Sequence, residues 1–338
     1  MSAQAEWPER AARSGSKSAS PQQWALGRHV RGLWGRWWLL PAVPLIYGLV
    51  LLSVGEVRSE HLVAGVLCVV LGYATQSTSR FLADASPYVL VLMGYDLVRY
   101  LRGPFVTPDR VIGCGLRDLE LQLFSVAPGV TLQEWLVAQA RPSLDLLFAA
   151  PYAVFAYLAF GYATYLYFVD RPRMRHYLWS FAIANFVAFA CWLALPAAPP
   201  WYVHAHGCTI DVGVAPSPAG LLRVDQRLGF GYFTAFYGRA ASVFGALPSL
   251  HCAYPLIGLL TAWRAARLTR LLHVFYVILM FVASMYLDHH WLVDGLAGWV
   301  LAVVAVGLAG SLLRRVEHST KSRVLPEALP GASSSVPG

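Results

Sequence analysis

The stretch Met285-Tyr-Leu-Asp-His-His-Trp-Leu-Val-Asp294 joins two long apolar runs of the chain, Leu271–Leu287 and Trp291–Leu313. A helix needs about 20 mostly apolar residues to cross the hydrocarbon core of a bilayer, and runs of this kind supply them. Two histidines and two carboxylates therefore stand where one predicted membrane helix ends and the next begins. Ionisable residues at such a place are costly and tend to mark function. The stretch thus predicts a helical membrane fold and indicates where its chemistry lies.

Similar apolar runs recur along the rest of the chain. They predict about eight membrane helices, among which the second and third are short. The runs fall near Leu39–Val57, His61–Ser77, Ser86–Leu101, Leu144–Val169, His176–Leu195, Ala246–Trp263, Leu271–Leu287 and Trp291–Leu313. Of the 338 residues 57% are hydrophobic and 13% are charged, whereas a soluble domain carries about 25% charged residues. We therefore predict an all-α, polytopic membrane bundle.

The composition divides the chain into four predicted regions. Residues 1–37 are expected to form a polar, disordered cytoplasmic tail, and residues 317–338 a second one. Residues 38–85 are expected to hold amino-terminal membrane helices, and residues 86–316 a catalytic membrane domain. The start of the chain lacks the apolar core of a cleavable signal peptide, so the first apolar run is expected to be a retained anchor.

Arginine-rich short loops predict the orientation, because such loops face the cytoplasm. These loops are Asp170–Arg175, Arg264–Arg270 and Arg314–Lys321. By parity, the longer polar stretches Arg102–Pro142 and Pro196–Gly245 lie on the extracytoplasmic face, together with the residues before His290. The 26 basic residues are spread over loops and tails instead of forming a stripe, so the expected partners are lipid headgroups in a membrane and not nucleic acid.

The segment Phe244-Gly-Ala-Leu-Pro-Ser-Leu-His251 opens another apolar run. The first turn of a helix has unpaired backbone N–H groups and a positive dipole end, which suit a phosphate. Ser249 can add a hydroxyl donor. His251 can deliver a proton to a leaving oxygen, since imidazole titrates near neutral pH.

His290 and Asp294 are four residues apart, so on a helix they share one face. The carboxylate can then bond one ring nitrogen, which fixes the tautomer and leaves the other nitrogen as a nucleophile. His289 is rotated from His290 by about 100° on a helix, so one histidine of the pair is expected to be structural.

Histidines can also have structural roles or bind a metal, and both alternatives to catalysis apply to this sequence. We expect interfacial or hydrogen-bonded roles for His29, His61, His176, His273 and His318. A zinc site built from the His-His-x-x-x-Asp cluster with His204 and His206 is conceivable, but no zinc-type spacing of Cys and His occurs. We therefore predict no metal and no cofactor.

Two of these motifs carry a family resemblance. Pro248-Ser-Leu-His251 and His290-x-x-x-Asp294 resemble the second and third signatures of the type 2 phosphatidic acid phosphatase superfamily. The fuller strings, with Leu195-Pro-Ala-Ala-Pro-Pro-Trp-Tyr202, resemble the inositol phosphorylceramide synthases of fungi and their bacterial relatives. The resemblance runs from about Tyr88 to Ala309. It implies a core of six helices, with about two more at the amino end.

The resemblance also implies a reaction. His290 would attack phosphorus and form a phosphohistidine, with Asp294 stabilising the imidazolium and His251 protonating the departing lipid oxygen. The implied function is a phosphotransferase that moves a phosphoinositol-like headgroup from a phospholipid donor to a ceramide-like or other lipid alcohol. A lipid phosphate or polyprenyl pyrophosphate phosphatase, with water as the acceptor, is the alternative. A transporter is a remote one, since no inverted repeat is evident.

Two departures from the superfamily leave the phosphate charge to other groups. The first signature, Lys followed by Arg-Pro, has no counterpart near Pro199-Pro200, and the arginine expected six residues before His290 is Ser284. Extracytoplasmic arginines are the candidates to bind the phosphate. In order of preference they are Arg239, Arg99, Arg102 and Arg223. Tyr202 is a candidate for positioning the substrate headgroup.

The five cysteines divide by location. Cys68, Cys191 and Cys252 lie in apolar runs and are expected to be small core residues. Cys114 and Cys208 lie in the two extracytoplasmic stretches, on an oxidising side, so they could pair and tie one stretch to the other.

Overall fold

A computed structural model describes residues 21–324 of the protein, with side chains from 27 to 319. Within these residues the fold is helical, as predicted, apart from one small antiparallel hairpin of β1 (Ser125–Ala127) and β2 (Val130–Thr131). The helices are α1 (Pro21–Trp34), α2 (Val43–Ser53), α3 (Ser59–Ala74), α4 (Gln76–Phe105), α5 (Gly115–Phe124), α6 (Leu132–Ala138), α7 (Pro142–Val169), α8 (Arg171–Ala194), α9 (Pro200–His206), α10 (Leu222–Leu228), α11 (Tyr232–Tyr237), α12 (Leu250–Thr261), α13 (Arg267–Tyr286) and α14 (Leu292–Val324). Contacts divide the chain into two units after Ala83.

In the first unit, α1 and α2 meet at a bend of 92° and α2 packs against α3. The packing is close because Gly65 has no side chain: a Cβ there would lie 2.6 Å from the Leu45 Cα. With 11 and 16 residues, α2 and α3 are about 16 and 24 Å long. Both helices are shorter than the predicted runs. In α2, prolines delay the start of the helix and Gly55, at φ 79°, ends it.

The second unit contains the predicted core of six helices: α4, α7, α8, α12, α13 and α14. Five of them are long and apolar enough to cross a membrane, and α12 is the shorter sixth. α12 has 12 residues, a length of about 18 Å, and it packs against α8, α13 and α14. The sequence predicted a longer helix over Ala246–Trp263, but α12 begins only at Leu250, after Pro248 and the N-cap residue Ser249.

Two polar segments, residues 106–141 and 195–248, together form what we call the cap. Backbone hydrogen bonds join them: the Ile112 N–H donates to the Pro196 carbonyl (2.8 Å), and the Ala198 N–H donates to the Ile112 carbonyl (2.9 Å). A disulfide between Cys114 and Cys208 confirms the predicted pairing. Among the described residues Cys68, Cys191 and Cys252 are free.

Both predicted tails contain helix where the structure describes them. α1 begins at Pro21, and α14 continues to Val324 although disorder was expected from Glu317. The physical reason in α14 is that neither Pro nor Gly follows Gly310 before Pro326, so nothing in the sequence stops the helix earlier. Residues 1–20 and 325–338 lie outside the described residues.

Candidate active site

Ser249 begins α12 as its N-cap residue. Its hydroxyl oxygen accepts the Cys252 N–H at 3.3 Å, and its own N–H donates to the Asp294 carbonyl at 3.0 Å. Ser249 is fully buried, and the preceding Leu247-Pro248 peptide is cis. His251 follows as the second residue of the helix, so the predicted helix start carries both polar side chains into the bundle.

His290 lies in a short link between α13 and α14. The N–H groups of His289 and His290 both donate to the Ser284 carbonyl at 3.1 Å, so the link folds back over the end of α13. Asp294 stands in the first turn of α14, where its Oδ2 accepts the Trp291 N–H at 3.0 Å. His290 thus precedes the helix that was expected to hold it, and the link still turns its ring towards Asp294.

These two motifs bring the three predicted catalytic side chains together. His251 Nδ1 lies 3.1 Å from His290 Nε2, and His290 Nδ1 lies 3.6 Å from Asp294 Oδ2. Asp294 is fully buried and His290 is 6% exposed. One nitrogen of His290 therefore faces the carboxylate and the other faces His251, which is the arrangement of a supported nucleophile opposite an acid.

Burial also sets the protonation state of His290. The residue lies in the link outside both spanning helices, and its desolvation lowers the pKa of the imidazole to about 4. A neutral imidazole has a lone pair for attack on phosphorus. At neutral pH the ring is therefore in the form that a nucleophile needs.

His289, the other member of the histidine pair, packs among aromatic rings. Its ring packs against Tyr152, at a centroid distance of 5.1 Å, and against Tyr237, at 4.8 Å. Tyr152 also stacks on His251 at 4.6 Å, and the Tyr237 hydroxyl lies 3.3 Å from His251 Nε2. Neither tyrosine was predicted from the sequence as a residue of the site, because a tyrosine within an apolar run or a short helix of the cap gives no distinguishing pattern.

The candidate arginines have partners within the protein. Arg99 donates to the Arg239 carbonyl (2.7 Å), and Arg102 donates to the Ala241 carbonyl (3.2 Å), so both hold the segment that leads to Ser249. Arg223 is bound to the buried Asp145 through two nitrogens at 2.8 and 3.0 Å. Arg239 lies on the surface of the cap, and its backbone carbonyl accepts the hydrogen bond from Arg99.

Tyr202 is placed in the core of the cap. Its hydroxyl accepts the Asp211 N–H at 2.6 Å and donates to the Thr209 carbonyl at 3.0 Å, and its ring packs on Phe244. These contacts give Tyr202 a part in holding the segment around 209–211. In the part of the chain that the structure describes, no cluster of three His, Cys, Asp or Glu residues is placed to hold a metal ion.

A histidine pair with a carboxylate behind it, set beside a serine-capped helix start in a helical bundle, is an arrangement suited to phosphoryl transfer. The family model of the PAP2 superfamily matches residues 119–308, and the chain belongs to this superfamily. The match includes all three catalytic candidates and both motifs that suggested it.

Within the superfamily, the chain is similar to proteins named as phosphoinositol dihydroceramide or inositol phosphorylceramide synthases. The chain is 31% identical to phosphoinositol dihydroceramide synthase of Bacteroides thetaiotaomicron over 247 residues, which are 71% of this chain and 80% of the relative. It is 30% identical over 193 residues to the catalytic subunit of inositol phosphorylceramide synthase of Schizosaccharomyces pombe, covering 56% of this chain and 46% of that protein. The corresponding subunit of Saccharomyces cerevisiae is 32% identical over 179 residues, 52% of this chain and 45% of that protein. The chain thus spans less than half of these fungal relatives. No solved structure matches.

Proposed function

We propose that this protein is a membrane phosphotransferase that moves a phosphoinositol-like headgroup from a phospholipid to a ceramide-like lipid alcohol. The observation that carries the proposal is the contact between His251 and His290, with Asp294 behind His290, in a PAP2 superfamily chain. The names of the relatives supply the substrate class, since they are synthases of inositol-containing phosphorylceramides.

In the first half of the reaction, His290 Nε2 attacks the phosphorus of the donor lipid. The bond between phosphorus and the oxygen of the lipid backbone breaks, and His251 gives that oxygen its proton. Asp294 stabilises the imidazolium form of His290. The Ser249 hydroxyl oxygen already accepts an N–H, so its own proton is available for an equatorial phosphate oxygen. The products are a lipid alcohol and a phosphohistidine that carries the headgroup.

In the second half, the hydroxyl of the acceptor lipid attacks the phosphohistidine. His251, now neutral, takes the hydroxyl proton, the N–P bond breaks, and His290 regains its lone pair. The two histidines return to their starting protonation states. Water in place of the lipid alcohol would make the same site a phosphatase.

The substrate must separate the two histidines. Their nitrogens are 3.1 Å apart, a hydrogen-bonding distance that leaves no room for a phosphoryl group between them. Binding of the phosphate therefore replaces the contact between histidines with a contact from each ring to the substrate. Tyr152 and Tyr237 contact His251, so we expect their rings to move when the substrate separates the two histidines.

An apolar groove provides a place for a hydrocarbon chain. It has a volume of about 340 Å³ and is lined on α7 by Leu146, Ala149, Ala150 and Ala153. Tyr152, which stacks on His251, belongs to the same turn of α7. We propose that a lipid whose phosphate lies at the histidines extends one chain along this helix towards the groove. We place the site on the extracytoplasmic face, which follows from the arginine-rich loops at the other ends of the helices.

Purified protein supplied with labelled phosphatidylinositol, with and without ceramide, tests the function. We expect labelled phosphorylceramide only when ceramide is present. Free phosphate or phosphoinositol in both samples would favour the phosphatase, and ion flux in liposomes without turnover would favour a transporter.

Variants of single histidines test the mechanism in the same assay. His290→Ala should abolish transfer, whereas His206→Ala, an exposed histidine of the cap, should retain it. Turnover by folded His290→Ala would overturn the assignment of the nucleophile.

A further inference from the structure

The cap holds both ends of the link that carries His290, and one buried carboxylate lies at the centre of this contact. Glu120 of α5 is fully buried. Its Oε2 accepts the N–H of Leu292, the first residue of α14, at 2.6 Å, and its Oε1 accepts the N–H of Gln133 in α6 at 3.4 Å. Glu120 therefore joins the starts of two helices.

The start of α14 needs an acceptor from elsewhere in the chain. The first N–H groups of a helix have no partner within it, and the residue before the helix often supplies a side-chain oxygen. Here that residue is Trp291, whose side chain has no oxygen, and Asp294 accepts only the Trp291 N–H. Glu120, which lies 172 residues earlier, supplies the acceptor that an N-cap side chain would otherwise provide.

The other end of the link is held through Gln133. Its side-chain amide donates to Asp288 Oδ1 at 2.7 Å and to the Met285 carbonyl at 3.3 Å. Asp288 adopts φ 65°, a left-handed conformation that non-glycine residues seldom take. The chain thus makes its sharp turn two residues before His290, at a residue that the cap holds.

We propose that Glu120 is a positioning residue for the phosphoryl-transfer step, fixing the link 287–291 so that His290 stays aligned between His251 and Asp294. A misplacement of about 1 Å at a reacting group can lower a rate about 100-fold, so alignment of this kind matters for turnover. A role in packing alone is a poor explanation for a buried carboxylate. Burial raises the pKa of Glu120 to about 7, which shows that the site disfavours its charge.

The experiment compares Glu120→Gln with Asp118→Asn. Asp118 is exposed on the same helix, so its variant removes one carboxylate charge from α5 without touching the link. The amide of Glu120→Gln has one acceptor oxygen for two N–H groups, so the bond to either Leu292 or Gln133 is lost. In the assay of the proposed function we expect this variant to lower kcat about 10- to 100-fold, with KM changed less than about twofold. Asp118→Asn should match the wild type in both constants.

Hydrogen–deuterium exchange of the substrate-free protein provides a measurement that does not depend on the proposed function. The amides of 287–293 should exchange faster in Glu120→Gln than in the wild type, while α7 and α8 remain unchanged. Gln133→Leu, which removes the bonds to Asp288 and Met285, should give the same pattern and serves if Glu120→Gln does not fold.

The two readouts separate failure of this inference from failure of the proposed function. Unchanged exchange of 287–293 in both variants would overturn the positioning role, whatever the substrate proves to be. Faster exchange confined to the link, in a protein that transfers no headgroup to ceramide, would support the positioning role and refute the proposed acceptor.

Discussion

The two ring nitrogens of His290 have different neighbours, and the difference assigns their roles. Nδ1 faces Asp294 Oδ2 at 3.6 Å, and Nε2 faces His251. A carboxylate in this place orients the ring and stabilises the positive charge that develops during attack, without taking the proton. The 3.6 Å separation is longer than a hydrogen bond, so we expect the pair to tighten when phosphorus is attacked.

Asp294→Asn tests this role of the carboxylate. The amide oxygen can still accept the Trp291 N–H, so the fold should persist, but the stabilising charge is lost. We expect kcat to fall about 10²- to 10⁴-fold, as when a carboxylate that supports a catalytic histidine is neutralised. The measurement is turnover with melting temperature in parallel, and Asp211→Asn, an exposed cap residue, is the control. Turnover within a few-fold of the wild type would show that the charge is dispensable.

His204 gives the cap a dependence on pH. Its Nδ1 lies 2.9 Å from Asp288 Oδ1, and this hydrogen bond raises the pKa of His204 above its ordinary 6.5. A raised folded-state pKa means that the stabilisation is complete below pH 6.5 and is lost as the pH rises through the folded value. His204→Gln should therefore lower the melting temperature most under mildly acidic conditions, with a smaller difference near pH 9. His206→Gln is the control, and a difference that does not change with pH would contradict the assignment.

At the scale of residues, the sequence indicated the three proposed catalytic side chains more clearly than the side chains that contact them. His251, His290 and Asp294 were found because polar residues at the ends of apolar runs stand out against their surroundings. Tyr152 and Glu120 gave no such signal, since a tyrosine in an apolar run and an acid in an amphipathic helix are ordinary. The contacts of Tyr152 with His251 and of Glu120 with Leu292 join residues more than 90 positions apart, and the spacing of residues in a sequence does not contain that information.

At the scale of elements, a glycine allows α12 and α14 to approach each other closely. A Cβ on Gly298 of α14 would lie 2.2 Å from the Ser249 carbonyl oxygen. Because Gly298 has no side chain, the two helices meet at Ser249, the N-cap residue of α12. Asp294 therefore lies next to the motif that contains His251. The sequence predicted both helices but not this crossing, because a glycine in an apolar run indicates no particular neighbour.

Gly298→Ala should separate these two helices. The added methyl group meets backbone, which cannot rotate away, so we expect a destabilisation of about 1 to 3 kcal/mol or more together with loss of turnover. Gly307→Ala is the matched control: it lies on the same helix in open space, and alanine favours a helix over glycine by about 0.5 to 1 kcal/mol. Thermal denaturation of both variants in detergent makes the comparison. Equal stability of the two would contradict the close approach.

At the scale of the whole molecule, the cap is held by covalent and backbone bonds between segments far apart in sequence. Cys114 and Cys208 are separated by 94 residues, and removal of a native disulfide costs typically about 2 to 5 kcal/mol. The double variant Cys114→Ser/Cys208→Ser should therefore melt at a lower temperature than the wild type, and reductant should lower only the wild-type value. Cys191→Ser, which removes a free thiol, is the control. A wild-type protein that is insensitive to reductant and has both thiols free would contradict the disulfide.

The orientation of the molecule decides which compartment the cap faces. A disulfide persists in an oxidising compartment, and the arginine-rich loops favour the cytoplasm at the opposite ends of the helices, so both arguments support our proposal that the cap faces the outside. Val212→Cys puts a thiol on the exposed surface of the cap, and Ala266→Cys puts one in the arginine-rich loop before α13. In right-side-out vesicles, a membrane-impermeant maleimide should label Val212→Cys at once and Ala266→Cys only after permeabilisation. In inside-out vesicles the order should reverse. Labelling of Ala266→Cys from the outside would place the histidines on the cytoplasmic face, and the donor lipid would then have to come from the inner leaflet.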